Sequence, residues 1–128
     1  MRDERPRRHA LLIPDLGSPG PPYLPLIGEI YWVMSLLYSP SDPAPARPAV
    51  VVSVPAVATP TARIRIVTRT SETVRGVEHP RDLDSGLSYD GTFSELGSVL
   101  ASSWRSGNVR PAGTLAEPFL ARVMEWSS

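Results

Sequence analysis

The chain has 128 residues, with 13 basic residues balanced by 13 acidic ones, every basic residue an arginine, and no cysteine. That length suits one compact domain rather than two, and zero net charge excludes strong global attraction to nucleic acid or anionic membrane, leaving local charge placement to decide. Without cysteine there is no disulfide, no thiolate chemistry and no cysteine-based metal site, and no apolar run approaches the ~18 residues of a membrane span.

Residues 1–27 read as a leader. Arg2, Arg5, Arg7 and Arg8 cluster at the start, and Leu16-Gly17-Ser18-Pro19-Gly20-Pro21-Pro22 breaks any regular element. It is either a plain extension or a basic arm that touches phosphate. Its apolar piece, Ala10-Leu11-Leu12-Ile13 before Pro14, is too short for a signal peptide, which points to the cytoplasm.

A first strand is predicted over about residues 29–38, with Ile30, Trp32 and Met34 on one face and Tyr31, Val33 and Ser35 on the other. A proline-rich loop follows over 39–46. The second strand, 48–54, is apolar on both faces and is expected to be central. Thr59-Pro60-Thr61 turns the chain into a third strand over 63–70. Its Arg63-Ile64-Arg65-Ile66 alternation predicts one wet face and one buried face. A short strand is placed at 73–78, a polar turn-rich stretch at 79–86, and another strand at 91–96. Residues 98–105 suit either a short helix or a strand. Leu115, Phe119, Leu120, Val123 and Met124 make the stripe of a terminal helix, and Thr114 and Glu117 have capping-box spacing. Short strands followed by one helix suggest a small curled sheet or barrel.

Three stretches carry a family resemblance: Gly28-Glu29-Ile30-Tyr31-Trp32-Val33, then Arg47-Pro48-Ala49-Val50-Val51-Val52-Ser53, then Val67-Thr68-Arg69-Thr70-Ser71. In this order and spacing the chain resembles the PemK/MazF family of toxin endoribonucleases. The tail adds to it, with Trp104-Arg105-Ser106-Gly107 and Gly113-Thr114-Leu115 leading into the helix. The resemblance covers residues 28 to about 124. It implies a mainly β, small SH3-like (PemK/CcdB-like) barrel with a C-terminal α-helix. It also implies a homodimer that cleaves single-stranded RNA without metal or cofactor and is inhibited by an antitoxin protein. The chain departs from the family in its first loop, where Ser39-Pro40-Ser41-Asp42-Pro43-Ala44-Pro45-Ala46 stands in place of a glutamate- or histidine-bearing motif. It departs again at Thr92-Phe93-Ser94-Glu95, where the acid is displaced by one residue.

Such cleavage uses the substrate's 2′-hydroxyl as nucleophile, a base to take its proton, an acid for the leaving 5′-oxygen, and donors for the transition-state charge. The resemblance assigns the catalytic roles to Arg47, Thr70 and Glu95. Arg47 is the phosphate donor, suited by its permanent charge and planar fork. Thr70 is a hydroxyl donor to the scissile phosphate, Ser71 supports it, and Glu95 is the base. On their own residues, Arg47 is equally a surface arginine at a strand start and Thr70 a hydroxyl that satisfies a turn. Arg63, Arg65 and Arg69 share one strand face and either track an RNA backbone or form a solvated outer face. Tyr31, Tyr38 and Trp104 stack bases or pack. His9 and His79 are isolated, and Asp82, Asp84 and Asp90 lack a ligand pattern, so no metal is expected. A non-catalytic toxin on the same fold, acting through a protein such as gyrase, is the main alternative, because fold alone does not separate the two. An Arg47 and Thr70 far apart in space would instead point to an unrelated barrel.

Overall fold

A computed structural model of the chain describes residues 24–39, 41–57, 59–105 and 109–128. Most of the expected leader lies outside these. Of its last four residues, Leu24 is 1% exposed and packs in the core, and the Leu26 amide donates to Glu29 Oε1.

Six strands are described: β1 (Glu29–Met34), β2 (Ala46–Ser53), β3 (Arg63–Thr70), β4 (Val77–His79), β5 (Gly91–Leu100) and β6 (Val109–Thr114). Two helices join them, α1 (Ala101–Arg105) and α2 (Phe119–Trp126), with 3-10 turns at Ser35–Leu37 and Leu83–Ser85. The strands pair antiparallel in the order β4-β5-β3-β2-β1-β6. The sheet curls into a half-barrel with α2 appended, so the mainly β architecture with a C-terminal helix is present. No helix among the described residues is long and apolar enough to cross a membrane.

Both sheet faces are buried, which is why β2 has no polar stripe. Tyr31, Val33, Ala49, Val51, Ile64 and Ile66 face one cluster with Leu24 and Trp104. Ile30, Val50, Val52, Val67 and Phe93 face a second cluster, which Val123 of α2 closes. Each fully buried valine, leucine or isoleucine contributes about 1.5–3 kcal/mol. The edge-on packing of Tyr31 against Trp104, 4.8 Å between ring centres, ties β1 to α1.

The sheet differs from expectation at its margins. β1 stops at Met34, because the Ser35 amide turns to donate to Pro45 O and the chain coils into a 3-10 turn. The short strand falls at Val77–His79 rather than over 73–78. β5 runs on to Leu100 and passes directly into α1, which resolves the ambiguity over 98–105. β6 carries Pro111 and Gly113 and follows no strand-like pattern; it is an edge strand, where a missing amide is tolerated. The capping box does not form: α2 has Pro118 at its N-cap, and Glu117 accepts instead from the Ala121 amide.

The turn between β4 and β5 folds across the open side onto β6. Gly86 makes that approach possible. It sits at φ 75°, and a Cβ there would lie 2.0 Å from Ala112 O.

Candidate functional site

β2 and β3 pair with Ala49 opposite Thr68, and β3 and β5 with Thr68 opposite Glu95. Side chains alternate along a strand, so Ala49, Thr68 and Glu95 form one row on the sheet face that carries Tyr31 and Trp104. Two residues on, in the same direction, Arg47 and Thr70 occupy the next row of that face, and Thr70 pairs with Thr92. Three strands thus bring Arg47, Thr70 and Glu95 to one end of one face. A bulge in β5 at Ser94 keeps Glu95 in line.

Arg47 is held. Its Nε donates to Asp42 Oδ2 at 2.7 Å and its Nη2 to Asp42 Oδ1 at 3.0 Å, a fork-to-fork pair. Asp42 also accepts from the Ala44 amide at 2.9 Å, the Asx turn that shapes the loop between β1 and β2. The Arg47 guanidinium holds the Asp42 carboxyl below the usual carboxylate range, and Asp42 in turn raises Arg47. Glu72 is near enough for its charge to act on Arg47 as well.

Tyr38 closes the site over β5. Its ring lies against Gly97, and its hydroxyl is 3.5 Å from Ser35 Oγ. Burial pushes the phenol above its ordinary value, and the charges of Asp42, Arg47 and Glu95 all reach it. Ser35 Oγ donates to Ala44 O, fixing the two ends of the loop together.

Thr70 is 9% exposed, and its Oγ1 accepts from the Glu72 amide at 3.1 Å. That is the turn role; among the described residues no acceptor takes the hydroxyl proton. Ser71 and Glu95 are exposed.

The arginine stripe is not one surface. Arg63 and Arg65 are exposed, but they lie on the opposite sheet face from Arg47 and at the far end of β3. Arg69 shares their face yet is only 1% exposed, because its side chain runs across β5 over Gly91 and ends between His79 and Tyr89. Its Nε donates to His79 Nδ1 at 3.1 Å, and its Nη2 to His79 O at 2.9 Å and Tyr89 O at 2.7 Å. Its guanidinium faces the protein interior, so Arg69 is a structural cation and not the RNA contact expected of it.

Two residues escaped a role in the sequence. Asp42 was visible only as a turn residue five positions before Arg47, and its grip on that arginine needs the loop to fold back. His79 lacked partners in sequence, and Arg69 reaches it across the β3–β4 connection. Among the described residues no group of three or more histidines, cysteines, aspartates or glutamates could hold a metal ion. No protein-family model matches the chain, and no curated protein matches it significantly.

Proposed function

We propose that the chain is a PemK/MazF-like toxin of SH3-like barrel fold, a metal-independent endoribonuclease that cleaves single-stranded RNA at short sequences and is inhibited by a cognate antitoxin. The convergence of Arg47, Thr70 and Glu95 from three strands onto one end of one face carries the reading. An RNA phosphate seated there meets the Arg47 fork and the free proton of Thr70, with Ser71 beside it. Glu95 takes the 2′-hydroxyl proton. Asp42 holds Arg47 in the orientation a phosphate needs, and the incoming phosphate competes with it for the same donors. A homodimer would place this face beside its copy and double the local charge, which suits a chain of zero net charge.

The test is cleavage of a mixed-sequence single-stranded RNA in EDTA by the wild type and by Arg47→Ala. The wild type should cleave, and the variant should lose about two orders of magnitude in rate, the ~3 kcal/mol of one oxyanion donor. The occupied state of Arg47 favours a second reading, a binding protein on the same fold that acts through a protein partner such as gyrase. No cleavage by either protein, with growth still arrested by the wild type, would select it.

A further inference from the structure

We propose that Tyr38 is the acid that protonates the leaving 5′-oxygen, an assignment that rests on the ribonuclease reading above. RNA cleavage through the 2′-hydroxyl needs two proton-transfer groups in opposite states, one ionised and one protonated, side by side near pH 7. Three carboxylates stand near Arg47: Asp42, Glu72 and Glu95. Glu72 engages the site through its backbone amide, which donates to Thr70. Asp42 is committed to Arg47 through both oxygens. Glu95 is the base of the proposed reaction, and the group that takes the 2′-hydroxyl proton is not the one that supplies the leaving group's. Arginine does not release one.

The phenol of Tyr38 meets the requirement. It stands over β5 at Gly97, one position beyond Glu95 on the same face, within reach of the fields of Asp42, Arg47 and Glu95. The ring lies in van der Waals reach of Gly97: a Cβ there would stand 3.4 Å from Tyr38 Cβ and 3.6 Å from Cδ2. The phenol has two side-chain partners, Asp42 and Ser35. The Ser35 proton goes to Ala44 O, so Ser35 Oγ can only accept from the phenol. At 3.5 Å that bond orients the phenol without holding the proton tightly. Burial raises the phenol's pKa, so the group carries its proton at neutral pH, as the acid must.

The step balances. The 2′-oxygen bonds to phosphorus as its proton passes to the Glu95 carboxylate. The P–O5′ bond breaks with its electron pair on O5′, which takes the Tyr38 proton. A 2′,3′-cyclic phosphate and a 5′-hydroxyl result, and water carries the proton from Glu95 back to the phenolate.

The experiment compares wild type and Tyr38→Phe on two short RNAs that differ in one atom, a 5′-oxygen or a 5′-bridging sulfur at the cleaved bond. A thiolate leaves without protonation. Tyr38→Phe should lose about 10²–10⁴-fold on the oxygen substrate, keep nearly the wild-type rate on the sulfur substrate, and lack the wild type's alkaline limb. Equal loss on both substrates, or no loss on either, would overturn the assignment while leaving the ribonuclease reading standing. Wild type that cleaves neither substrate would remove that reading and the assignment with it.

Discussion

At the scale of single residues, two titratable groups are held below their ordinary pKa, and each takes stability away as the pH falls, in a different range. Arg69 Nε can only donate, so His79 Nδ1 accepts, and the imidazole is neutral with its proton on Nε2. Burial first, then the Arg69 charge, holds His79 below its ordinary 6.5. Asp82, 3.7 Å from Nε2, opposes this weakly. The unfolded chain therefore takes up a proton below pH 6.5 that the folded chain refuses. Stability is full above that value and falls as the pH drops towards the folded pKa, by up to about 1.4 kcal/mol per unit. Urea midpoints measured from about pH 8 to pH 5 should show this slope in the wild type, and it should flatten in His79→Gln. An unchanged slope in the variant would show that His79 is not the group responsible. Asp42 acts lower on the scale. Arg47 depresses its pKa from 3.8, so the stabilisation is present above that value and is lost as pH falls through the depressed one. In Asp42→Asn the stability loss below about pH 4 should be smaller than in the wild type. A variant that tracks the wild type through that range would mean the pair contributes nothing to folding.

At the scale of elements, legibility followed the local hydrophobic period. β2 and β3 were readable because their side chains have one environment per face for most of their length, and Ile30, Tyr31, Trp32 and Val33 alternate as their sequence predicts. The period cannot say where a covering element stops. His79 and Tyr89 enclose the Arg69 end of one β3 face only, so three arginines on that face split into two exposed and one buried. β6 escaped because an edge strand closed by loop contacts needs little apolar area, and its proline and glycine mask it. Of the site, Arg47, Thr70 and Glu95 were named from motif order, whereas Asp42 and the seat of Tyr38 depend on loop folding that no local pattern encodes. Gly91 shows how tightly the Arg69 element is built. A Cβ there would lie 2.6 Å from Arg69 Nη1 and 2.9 Å from Thr70 O. Gly91→Ala should therefore destabilise by about 1–3 kcal/mol. Ser replacing the 90%-exposed Leu83 should stay within about 0.5 kcal/mol. Equal midpoints for the two variants in urea would refute the crowding around Arg69.

At the scale of the whole molecule, zero net charge means that, under the proposed function, charge placement would decide how RNA is held. Arg47 and the exposed pair Arg63 and Arg65 lie on opposite faces, with β3 spanning about 20 Å or more between their ends. Arg63 also donates to Ser98 Oγ at 3.2 Å. A short single strand bound over Thr70 and Tyr38 meets the first arginine and not the other two. Counterion release makes this measurable, since each phosphate neutralised on a single strand adds about 0.7 to the slope of log affinity against log salt. Arg47→Ala should lower the slope for a short uncleavable RNA by about 0.7. The double variant Arg63→Ala/Arg65→Ala should leave both the slope and the cleavage rate unchanged. A drop of about 1.4 in the double variant would mean that the strand wraps from one face to the other, or that a second copy presents its outer face to the same RNA. Either result would restore the arginine stripe as a binding surface and enlarge the site beyond the single face on which Arg47, Thr70 and Glu95 converge.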